Sequence, residues 1–519
     1  MKTHSATAFL SQAIAIGYID RLLQVMDRFT REHVDAEFCV QRAKHGASRQ
    51  RLAALVTTSM RNAPLSAEQQ ISLDQLRLQT SVVAVTGQQV GLFGGPMYTI
   101  YKIRTAVEEA RRITSTTGIT TVPVFWLEDN DHDAAEAASS HLLNSYGAVV
   151  DVSIWAGLEE RTSVSTRTFN ELEIEHTMGN LNLLTGQYAE LARQRSRSIY
   201  TVGASWTDAF LNILQTYLAA WGVLVVRGSD VIAAGLHAPI LQHEIRSPGQ
   251  LYQALKRGTD VLVARGFSAQ ATVSTNLFFG SDSDGRVKGP VDATLATEHP
   301  ERFTPTVLTR PLIQDAILPS VVSILGAAEI AYHAQLREAY ELCGIPMPFV
   351  VLRNGATLLD AKTEKMLSKD NRGIEWYRRN NNDLEGAIAD ELTVGVLPSK
   401  EAREDALEEL LAPYRKAATI IDQTLVGNVG AQGASIRSTL EALEGKLRSA
   451  AKKTQGVAAE RMRGIHAILF PNGTLQERNF PLLFWEARFG EDNLRIIVDK
   501  VAREPAGSHV EVGSSDLFS

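Results

Sequence analysis

The sequence predicts an α/β protein, in which a parallel β-sheet carries helices on its faces, a helical segment precedes the sheet and a helical hairpin follows it. Two patterns lead to this prediction. Short continuous apolar runs rich in β-branched residues alternate with helical segments, which is typical of parallel strands buried on both faces. Beyond residue 402 the apolar residues change to a heptad spacing, which is typical of paired helices.

The first 385 residues are predicted to form the core and a helical N-terminal extension of it. Residues 1–80 make the extension, because they have helical spacing and few β-branched runs. The core follows over 81–385, with inserted connecting segments expected at about 159–200 and 270–305. Its strand-like apolar runs are 81–86, 121–127, 148–154, 222–227 and 349–352. A strand and a tight turn are expected over 276–285, because the dipeptide Asp284-Gly285 favours a hairpin.

The segment 386–470 is predicted to form a protruding antiparallel helical hairpin, after which 471–519 returns to the core. A heptad seam is formed by Leu407, Leu411, Tyr414, Ala418, Ile421 and Leu425. We expect Pro413 to weaken this helix, and the glycines at 427, 430 and 433 to break it before a second helix over 436–469. The second helix would be roughly 50 Å long. The hairpin packs on a core of its own or also pairs with a second subunit, and we expect a homodimer.

Composition and charge exclude several classes of protein. The 519 residues carry a net charge of −7, which argues against a nucleic-acid or anionic-membrane partner. Two cysteines, Cys39 and Cys343, are too few for a disulfide framework or a four-cysteine zinc site and fit a reducing compartment. No apolar run approaches the roughly 20 residues of a membrane-spanning helix, and the N-terminus has the pattern of an amphipathic helix. A cytoplasmic protein is therefore expected.

A glycine-rich loop after the first predicted strand is the first candidate site. It contains Gly94 and Gly95 and leads to Pro96, where a helix is expected to begin. Glycines allow close approach of a ligand, and the free N–H groups of a helix start attract a phosphate or a carboxylate. The glycine spacing matches neither a Walker A loop nor a dinucleotide-binding fingerprint. The alternative is a tight turn that needs glycine for packing.

An acidic cluster over 128–133 follows the strand-like run 121–127 and is the second candidate site. It contains Asp131, His132 and Asp133. Ligands bind at the carboxyl ends of parallel strands, and such a cluster could deprotonate an amine, orient it, or hold Mg²⁺ on its oxygens. The alternative is an acidic helix N-terminus that favours the helix dipole. With one histidine and no nearby cysteine, a zinc site is not expected.

Three further segments carry candidate residues. Arg310 precedes a predicted helix and could bind a carboxylate, while Glu329 and His333 lie one turn apart on another helix. A charge pair that only supports helix packing is the alternative for these residues. The third segment, 470–478, contains a Pro-Asn-Gly turn signal, and only its trailing Gln-Glu-Arg suggests more.

With these residues in view, the chain resembles the BshC family, the proposed cysteine-adding ligases of bacillithiol biosynthesis. The matching segments, in the order of the family, are VTGQQVGLFGGPMYTIYK (85–102), PVFWLEDNDHD (123–133), NLFFGSDSDG (276–285), TRPLIQDAILP (309–319), GAAEIAYHAQL (326–336) and FPNGTLQER (470–478). The resemblance implies a Rossmann-like core with inserted connecting segments and a C-terminal coiled coil that mediates dimerisation. The chain departs from the family pattern at Asp129-Asn130, Ala327-Ala328 and His333.

The resemblance also implies the reaction: amide formation between the carboxyl group of cysteine and the amine of glucosaminyl-malate, the last step of bacillithiol biosynthesis. ATP or another nucleotide is the expected activator, Mg²⁺ is an ion that could accompany it, and no resident metal is predicted. The hypothetical catalytic residues are Asp131, His132 and Asp133. The hypothetical substrate-binding residues are Gln88, Gln89, Gly94, Gly95, Tyr98, Asn130, Arg310, Glu329 and Tyr332, and the nucleotide-binding residues are Asn472, Gly473 and Arg478.

Individual roles follow from that reaction. Asp131 and His132 would orient the amine and accept its proton, and Arg310 would pair with a substrate carboxylate. The Gly94-Gly95 turn would hold an anionic group of the nucleotide or of malate. Two other classes stay open: another α/β amide-forming ligase or nucleotidyltransferase, and a non-catalytic scaffold for pathway enzymes. A polar, well-formed cleft around Asp131 and Arg310 would count against the scaffold.

Overall fold

The computed structural model describes residues 1–144, 146–154, 162–282, 285–370 and 372–517. Residues 159–161 of the predicted insertion and the predicted turn at 283–284 lie outside these ranges. The chain forms two compact units, one of residues 1–361 and 475–519 and the other of residues 362–474. Among the described residues, no helix combines the length and apolarity that a bilayer crossing requires.

Within the described ranges, the strands belong to four sheets, all in the first unit. They are β1 (Lys2–Ser5), β2 (Val82–Gln89), β3 (Thr121–Glu128), β4 (Ser139–Leu143), β5 (Val149–Ser153), β6 (Leu224–Arg227), β7 (Phe278–Asp282), β8 (Gly285–Lys288), β9 (Phe303–Pro305), β10 (Ser320–Leu325), β11 (Phe349–Leu352), β12 (Gly355–Leu359) and β13 (Ser508–Gly513). The largest is a five-stranded parallel sheet in the order β11-β10-β2-β3-β6, which confirms the predicted α/β, Rossmann-like fold class.

The helices that precede the second unit in the chain begin before the central sheet and continue between its strands. They are α1 (Ala13–Ile19), α2 (Leu23–Met26), α3 (Ala36–Ala43), α4 (Arg49–Ser59), α5 (Ala67–Leu76), α6 (Tyr98–Thr117), α7 (Ala134–Ala137), α8 (Glu171–Leu181), α9 (Ala189–Ile199), α10 (Trp206–Ala220), α11 (Gly228–Ala233), α12 (Ala238–Arg246), α13 (Gln250–Ala264), α14 (Ala293–Glu298), α15 (Arg310–Ile317), α16 (Ala327–His333) and α17 (Arg337–Cys343).

The remaining helices belong to the second unit and to the returning C-terminal segment. They are α18 (Ala361–Asp370), α19 (Ile374–Arg379), α20 (Leu384–Thr393), α21 (Lys400–Ile421), α22 (Val426–Thr454), α23 (Gly456–Leu469), α24 (Gln476–Asn479), α25 (Leu482–Phe489) and α26 (Glu491–Arg503).

The strand order places the carboxyl ends of β2 and β10 at a topological switch point. From β2 the chain moves outward through β3 to β6, and it returns on the other side of β2 through β10 to β11. Strands β2 and β3 pair over their full eight-residue length, from Val82 opposite Thr121 to Gln89 opposite Glu128. Their alanine and valine side chains are buried, as expected for a sheet covered on both faces. Such a switch point is where open α/β sheets bind ligands.

The parallel sheet differs from the prediction at two strands. The apolar run at 148–154 forms β5, but β5 pairs antiparallel with β4 in a separate two-stranded sheet instead of joining the parallel sheet. Strand β10 was not predicted, although its six residues are all buried. A short apolar run next to Pro319 cannot be distinguished from a buried helical segment by periodicity alone, so only strand pairing reveals it.

Two buried arginines attach the N-terminal helices to the sheet. The guanidinium group of Arg42 on α3 donates to the carbonyl oxygens of Asp315, Leu318 and Ser320 at distances of 2.9, 2.7 and 2.8 Å. Arg49 on α4 donates to the carbonyl oxygen of Ser81, just before β2, at 2.7 Å. Both arginines therefore satisfy backbone acceptors where the chain enters strands of the central sheet.

A buried carboxylate joins the carboxyl ends of β3 and β6. Asp129 follows β3 and accepts hydrogen bonds from the backbone N–H and the hydroxyl of Ser229 on α11, at 2.8 and 2.7 Å. Burial raises the pKa of Asp129 from 3.8 to about 6, and the Ser229 hydrogen bonds oppose this change. The loop after β3 is therefore held in place by a group whose charged form is disfavoured.

The second unit contains the helical hairpin. Helices α21 and α22 are joined by a short 3-10 turn at Gln423–Leu425, and ion pairs link Arg403 to Glu444 and Arg437 to Glu404. Residues 362–385, which the sequence analysis placed with the core, belong to this unit, where Glu385 pairs with Lys452 and Arg463.

Two local predictions about the hairpin were wrong, and the expected weakening of the first helix by Pro413 stays a prediction. Pro413 lies inside a continuous α21, and the glycines at 427, 430 and 433 lie inside α22 instead of ending a helix. A Cβ atom at Gly433 would come within 2.6 Å of Leu411, so this glycine permits close helix packing. The predicted helix over 436–469 is divided at Gln455, which has non-helical backbone angles.

Replacing Arg42 with methionine should lower the free energy of unfolding by about 3 kcal/mol, because three buried carbonyl groups lose a charged donor. Urea unfolding measures this change. The matched control is Arg51→Met on α4, whose side chain is exposed, and its effect should stay within about 0.5 kcal/mol. Equal effects of the two substitutions would contradict the anchoring role of Arg42.

The raised pKa of Asp129 predicts a pH dependence of stability. A carboxyl group whose pKa is higher in the folded state stabilises the fold below the unfolded pKa, and this contribution is lost as the pH rises through the folded pKa. The change from 3.8 to about 6 corresponds to about 3 kcal/mol. The unfolding free energy of the wild type should therefore fall, relative to Asp129→Asn, between about pH 4 and about pH 7.

Urea unfolding across that pH range measures the difference between the two proteins. Asp20→Asn serves as the control, because Asp20 is exposed and should show no comparable divergence from the wild type. Parallel pH profiles for the wild type and Asp129→Asn would refute this account of Asp129.

Candidate active site

A cavity of about 600 Å³ opens at the carboxyl edge of the central sheet. It lies where β2 and β10 end, at the switch point of the sheet. Its volume is within the range of pockets that hold small-molecule substrates or cofactors. The lining residues are Gly87, Gln88, Gln89, Tyr98, Lys102, Glu128, Asp131, His132, Thr272, Ser274, Asn276, Phe279, Pro305, Thr306, Val307, Arg310, Gly326, Ala327, Ala328, Glu329, Tyr332, Arg353 and Arg478.

One side of the cavity is acidic and carries a histidine. Nδ1 of His132 lies 3.3 Å from Oδ1 of Asp131, and the amide of Gln89 donates to Oδ2 of the same carboxylate. Glu128, the last residue of β3, accepts a hydrogen bond from the indole N–H of Trp126 at 3.1 Å. A carboxylate beside an imidazole orients the ring and stabilises it when it takes up a proton.

Residues 163–165 form hydrogen bonds to the backbone of the loop that carries Asp131. The backbone N–H of Val164 donates to the carbonyl oxygen of Asp131 at 2.8 Å, and the N–H of Ser165 donates to that of Asp129 at 2.8 Å. The hydroxyl of Ser163 also donates to the carbonyl oxygen of Asp129, at 3.0 Å. The predicted insertion therefore positions the acidic loop through its backbone.

The floor of the cavity contains a buried ion pair. Lys102 on α6 is buried, and its Nζ lies 2.5 Å from Oε2 of Glu329. The same Glu329 oxygen accepts the backbone N–H of Gly326 at 2.7 Å, at the start of α16. Burial lowers the pKa of Lys102, and the negative charge of Glu329 opposes this change. The pair connects α6 to the carboxyl end of β10.

Arg310 forms a cationic wall of the cavity. Its guanidinium group donates to Oε1 of Gln314 at 3.0 Å and to the hydroxyl of Tyr332 at 3.4 Å. Burial opposes its charge, but the Tyr332 hydroxyl and the carboxylates of Glu128 and Glu329 raise the pKa of Arg310 above its ordinary value. Burial raises the pKa of Tyr332 to about 12, with Arg310 opposing. Arg310 therefore stays charged and Tyr332 neutral, so both offer hydrogen-bond donors.

A second group of cations surrounds Tyr98. The charged groups of Lys102, Arg353 and Arg478 lie 5.6, 5.2 and 6.0 Å from the centre of its ring. Arg353 follows β11 and pairs with the buried Glu477 at 2.6 Å. This side of the cavity is suited to a negatively charged part of a ligand.

The structure brings together most, but not all, of the predicted site residues. Those that line the cavity are Gln88, Gln89, Tyr98, Asp131, His132, Arg310, Glu329, Tyr332 and Arg478. Those that do not line it are Gly94, Gly95, Asn130, Asp133, Asn472 and Gly473. Glu329 and His333 lie one turn apart on α16, as the sequence predicted. The ion-pair partner of Glu329 is Lys102.

The glycine-rich turn has the geometry of the packing alternative. A Cβ atom at Gly94 would lie 2.7 Å from Ile213, and one at Gly95 would lie 3.2 Å from Phe210. At the start of the following helix, the N–H of Met97 donates to the carbonyl oxygen of Phe480 at 3.1 Å. Both glycines also have positive φ angles, of 85° and 67°, which other residues rarely adopt.

Four other predicted residues lie away from the cavity lining. Asp133 is exposed and accepts the N–H of Glu136 at 2.9 Å as the N-cap of α7, which fits the helix-terminus alternative. Asn130 is buried, and its N–H donates to Glu128 at 3.3 Å. Asn472 and Gly473 belong to the other unit, where the carbonyl oxygen of Gly473 accepts a hydrogen bond from Asn381 at 2.5 Å.

Lys102 and Arg353 were not among the predicted site residues, and Glu128 was predicted only as a member of the acidic cluster over 128–133. Glu128 and Arg353 stand at the carboxyl ends of β3 and β11, so the rule that pointed to Asp131 applies to them as well. Lys102 lies one turn after Tyr98 on α6, a spacing that puts both side chains on one face of the helix.

His333 is buried beside this site. Burial, with Arg310 and Lys102 nearby, lowers the pKa of His333 to about 3, so its ring is neutral. In the described part of the chain, neither of its ring nitrogens has a hydrogen-bond partner.

Within the described ranges, no group of three or more histidine, cysteine, aspartate or glutamate side chains is arranged to hold a metal ion. The polar cavity around Asp131 and Arg310 nevertheless has the features of a reaction site: an acid–base pair, a fixed cation and several oriented donors. Its presence counts against a purely non-catalytic scaffold.

Comparison with known proteins agrees with this organisation. The family model described as "Bacillithiol biosynthesis BshC, N-terminal Rossmann-like domain" matches residues 1–288 and 293–354, and the corresponding "C-terminal coiled-coil domain" matches 356–505. Relatives that carry the name "Putative cysteine ligase BshC" occur in Salinibacter ruber and Staphylococcus carnosus. The first is 29% identical over 91% of this chain and 90% of its own, and the second is 26% identical over 87% and 88%. The chain therefore belongs to the BshC family of bacillithiol biosynthesis.

Proposed function

We propose that this protein is a ligase that joins the carboxyl group of cysteine to the amine of glucosaminyl-malate, in the last step of bacillithiol biosynthesis. Family membership and the names of the relatives support a cysteine ligase. The charge pattern of one cavity supports the substrate assignment. Asp131 and His132 lie on one side of this cavity, and Arg310 and Arg478 lie on other sides of it. An amine substrate that also bears carboxylates needs both kinds of group.

The acidic side would receive the amine. An amine is a nucleophile only after it loses the proton of its ammonium form, so a base is required next to it. With the Nδ1 proton of His132 directed to Asp131, the lone pair on Nε2 is the one that accepts the proton. Asp131 then stabilises the imidazolium ion, and the neutral amine nitrogen can form its bond to the activated acyl carbon of cysteine. The activating group leaves with the electron pair of the broken C–O bond, and the second amine proton passes to that departing oxygen or to water.

The cationic side would hold the carboxylates of the substrates. Arg310 presents a planar guanidinium group suited to a carboxylate, and its contacts with Gln314 and Tyr332 keep it oriented. Fixing two reactants in one cavity converts a bimolecular step into an effectively unimolecular one.

A nucleotide, ATP or another, would supply the activation that turns the cysteine carboxylate into a reactive acyl group. The residues present fit such an anionic group, because Arg310 and Arg478 offer cationic donors at the same cavity. Asp131 and Glu128 would hold Mg²⁺, an ion that typically takes one or two carboxylates and completes its shell with water and phosphate.

The homodimer is also part of the proposal, through the helical hairpin. Leu407, Leu411 and Ala418 of the predicted seam are buried, whereas Tyr414 and Ile421 are 62% and 77% exposed. An exposed apolar stripe on paired helices is typical of a coiled-coil interface.

Thiol profiling of a strain that lacks this protein tests the function directly. We expect glucosaminyl-malate to accumulate and bacillithiol to be absent, and reintroducing the gene should restore both levels. Incubation of the purified protein with ATP, cysteine and glucosaminyl-malate, with other amines as competitors, then tests the acceptor. Normal bacillithiol in the deletion strain would refute the proposal.

Substituting Asp131→Asn and His132→Gln together should lower the ligation rate by about 100-fold or more, because the base and the group that orients it are both lost. Steady-state kinetics of the purified protein measure this loss. The matched control is Asp260→Asn on α13, whose exposed side chain pairs with Lys256 at 2.6 Å, and it should leave the rate unchanged. Normal bacillithiol levels in cells that carry the double variant would overturn these roles.

Substituting Ile421→Glu and Tyr414→Glu should convert the dimer to a monomer, because the substitutions put charge on the exposed stripe. Analytical ultracentrifugation measures the mass of wild type and variant. Glu409→Gln on the same helix is the control and should leave the mass of the wild type unaltered. A monomeric wild type would refute the dimer without affecting the proposed reaction.

A further inference from the structure

The ammonium group of Lys102 determines the direction of a hydrogen-bond chain in the cavity. Its Nζ lies 3.0 Å from the carbonyl oxygen of Gly87, 3.1 Å from Oε1 of Gln88 and 2.5 Å from Oε2 of Glu329. An ammonium group has three protons to donate and no lone pair with which to accept. Each of the three neighbouring atoms must therefore be an acceptor, and the side-chain oxygen of Gln88 must face Lys102.

The orientation of Gln88 in turn sets the role of Tyr98. With its oxygen toward Lys102, the amide directs Nε2 to the hydroxyl of Tyr98, 3.1 Å away. An amide nitrogen only donates, so the Tyr98 oxygen accepts this bond and the Tyr98 proton points elsewhere. Turning the amide around would place two donors against each other at Lys102 and leave its ammonium group short of an acceptor.

Tyr98 lines the cavity, and no acceptor for its proton occurs among the described residues. The phenol therefore offers a hydrogen-bond donor to whatever occupies the cavity. An acceptor of the ligand, such as a carboxylate oxygen, is the matching group.

The charges around Tyr98 indicate an anionic acceptor. Of the three cations near its ring, Lys102 is paired with Glu329 and Arg353 with Glu477. The guanidinium group of Arg478 has no ion-pair partner within the part of the chain that the structure describes, and it also lines the cavity. One positive charge at this corner is thus left for a ligand.

We propose that Tyr98 and Arg478 form a carboxylate-binding subsite, and that Lys102 and Gln88 are positioning residues that keep the Tyr98 hydroxyl a donor to the ligand. The proposal rests on the proposed function, in which the amine substrate carries the dicarboxylate malate. In that case the subsite holds the malate end of the acceptor while Asp131 and His132 face its amine. Arg310 is then the cation left for the nucleotide. A phosphate group of the nucleotide has acceptor oxygens similar to those of a carboxylate, and the experiment separates the two sources.

Binding of malate alone, measured by calorimetry on the full-length protein, tests the subsite without any ligation. Tyr98→Phe and Arg478→Gln should each weaken malate binding roughly 10-fold to 100-fold, because each removes a donor to a charged acceptor. The uncharged diamide of malate should bind weakly to the wild type and be insensitive to both substitutions. Tyr146→Phe and Arg495→Gln, on exposed side chains, are the matched controls and should bind malate like the wild type.

The same variants in the ligation assay should raise KM for glucosaminyl-malate more than they lower kcat, since the subsite lies at the carboxylate end of the substrate. Inorganic phosphate is measured in parallel. If phosphate, and not malate, loses affinity in Tyr98→Phe and Arg478→Gln, the corner is a phosphate site and the carboxylate proposal is wrong.

The positioning role is tested by Gln88→Glu, which keeps the size and shape of the side chain. A carboxylate accepts from both Lys102 and the Tyr98 hydroxyl, so the tyrosine proton would turn away from the ligand. The added charge would also repel malate. A double-mutant cycle separates the two effects: if the tyrosine proton is turned, Gln88→Glu costs less affinity in the Tyr98→Phe background than in the wild type.

Lys102→Met is a second test of the positioning role, because it removes the group that orients the Gln88 amide. Thermal unfolding reports whether that variant is folded. Fully additive losses in the Gln88→Glu and Tyr98→Phe cycle would overturn the positioning role. Unchanged malate affinity and unchanged KM in an otherwise active Tyr98→Phe protein would overturn the subsite. A protein that binds malate in a Tyr98-dependent way but ligates nothing would retain the subsite and refute the proposed function.

Discussion

Parallel pairing of β2 with β3 on one side and with β10 on the other is the constraint on which the site depends. It brings Thr86 next to Ile324, residues 238 positions apart in the chain, at a hydrogen-bond distance of 2.9 Å. All strands of the sheet point the same way, so every loop at their carboxyl ends reaches the same edge. The acidic loop after β3 and the helix after β10 therefore face one cavity, although neither is near the other in sequence.

Buried charge holds this edge together. Lys102 and Glu329 join α6 to α16, while Asp129 joins the loop after β3 to Ser229 on α11. Removing charges from water is costly, so such groups persist only where donors and acceptors are matched one to one. The same matching fixes the direction in which Gln88 and Tyr98 present their hydrogen bonds, so a structural ion pair also shapes the chemistry of the cavity.

Much of the site could be predicted because residues with reactive side chains follow apolar strands. Asp131 and His132 come soon after β3, so the rule for parallel sheets points to them. Arg310 does not follow a parallel strand, and the sequence identified it only as a cation next to a predicted helix. The role of Gly94 and Gly95 was harder to predict, because a glycine that lets a ligand approach and a glycine that avoids a clash look the same in the sequence. Only the neighbours, Ile213 and Phe210, distinguish the two.

The sequence by itself determined the fold class, the presence of a helical hairpin and the family, because hydrophobic period and long unusual motifs are local properties of the chain. Tertiary structure decided that β5 leaves the parallel sheet, that β10 enters it, and that Lys102 and Arg353 reach the cavity. Strand partners and ion-pair partners are chosen by contacts between distant segments, and side-chain periodicity along one segment carries no record of them.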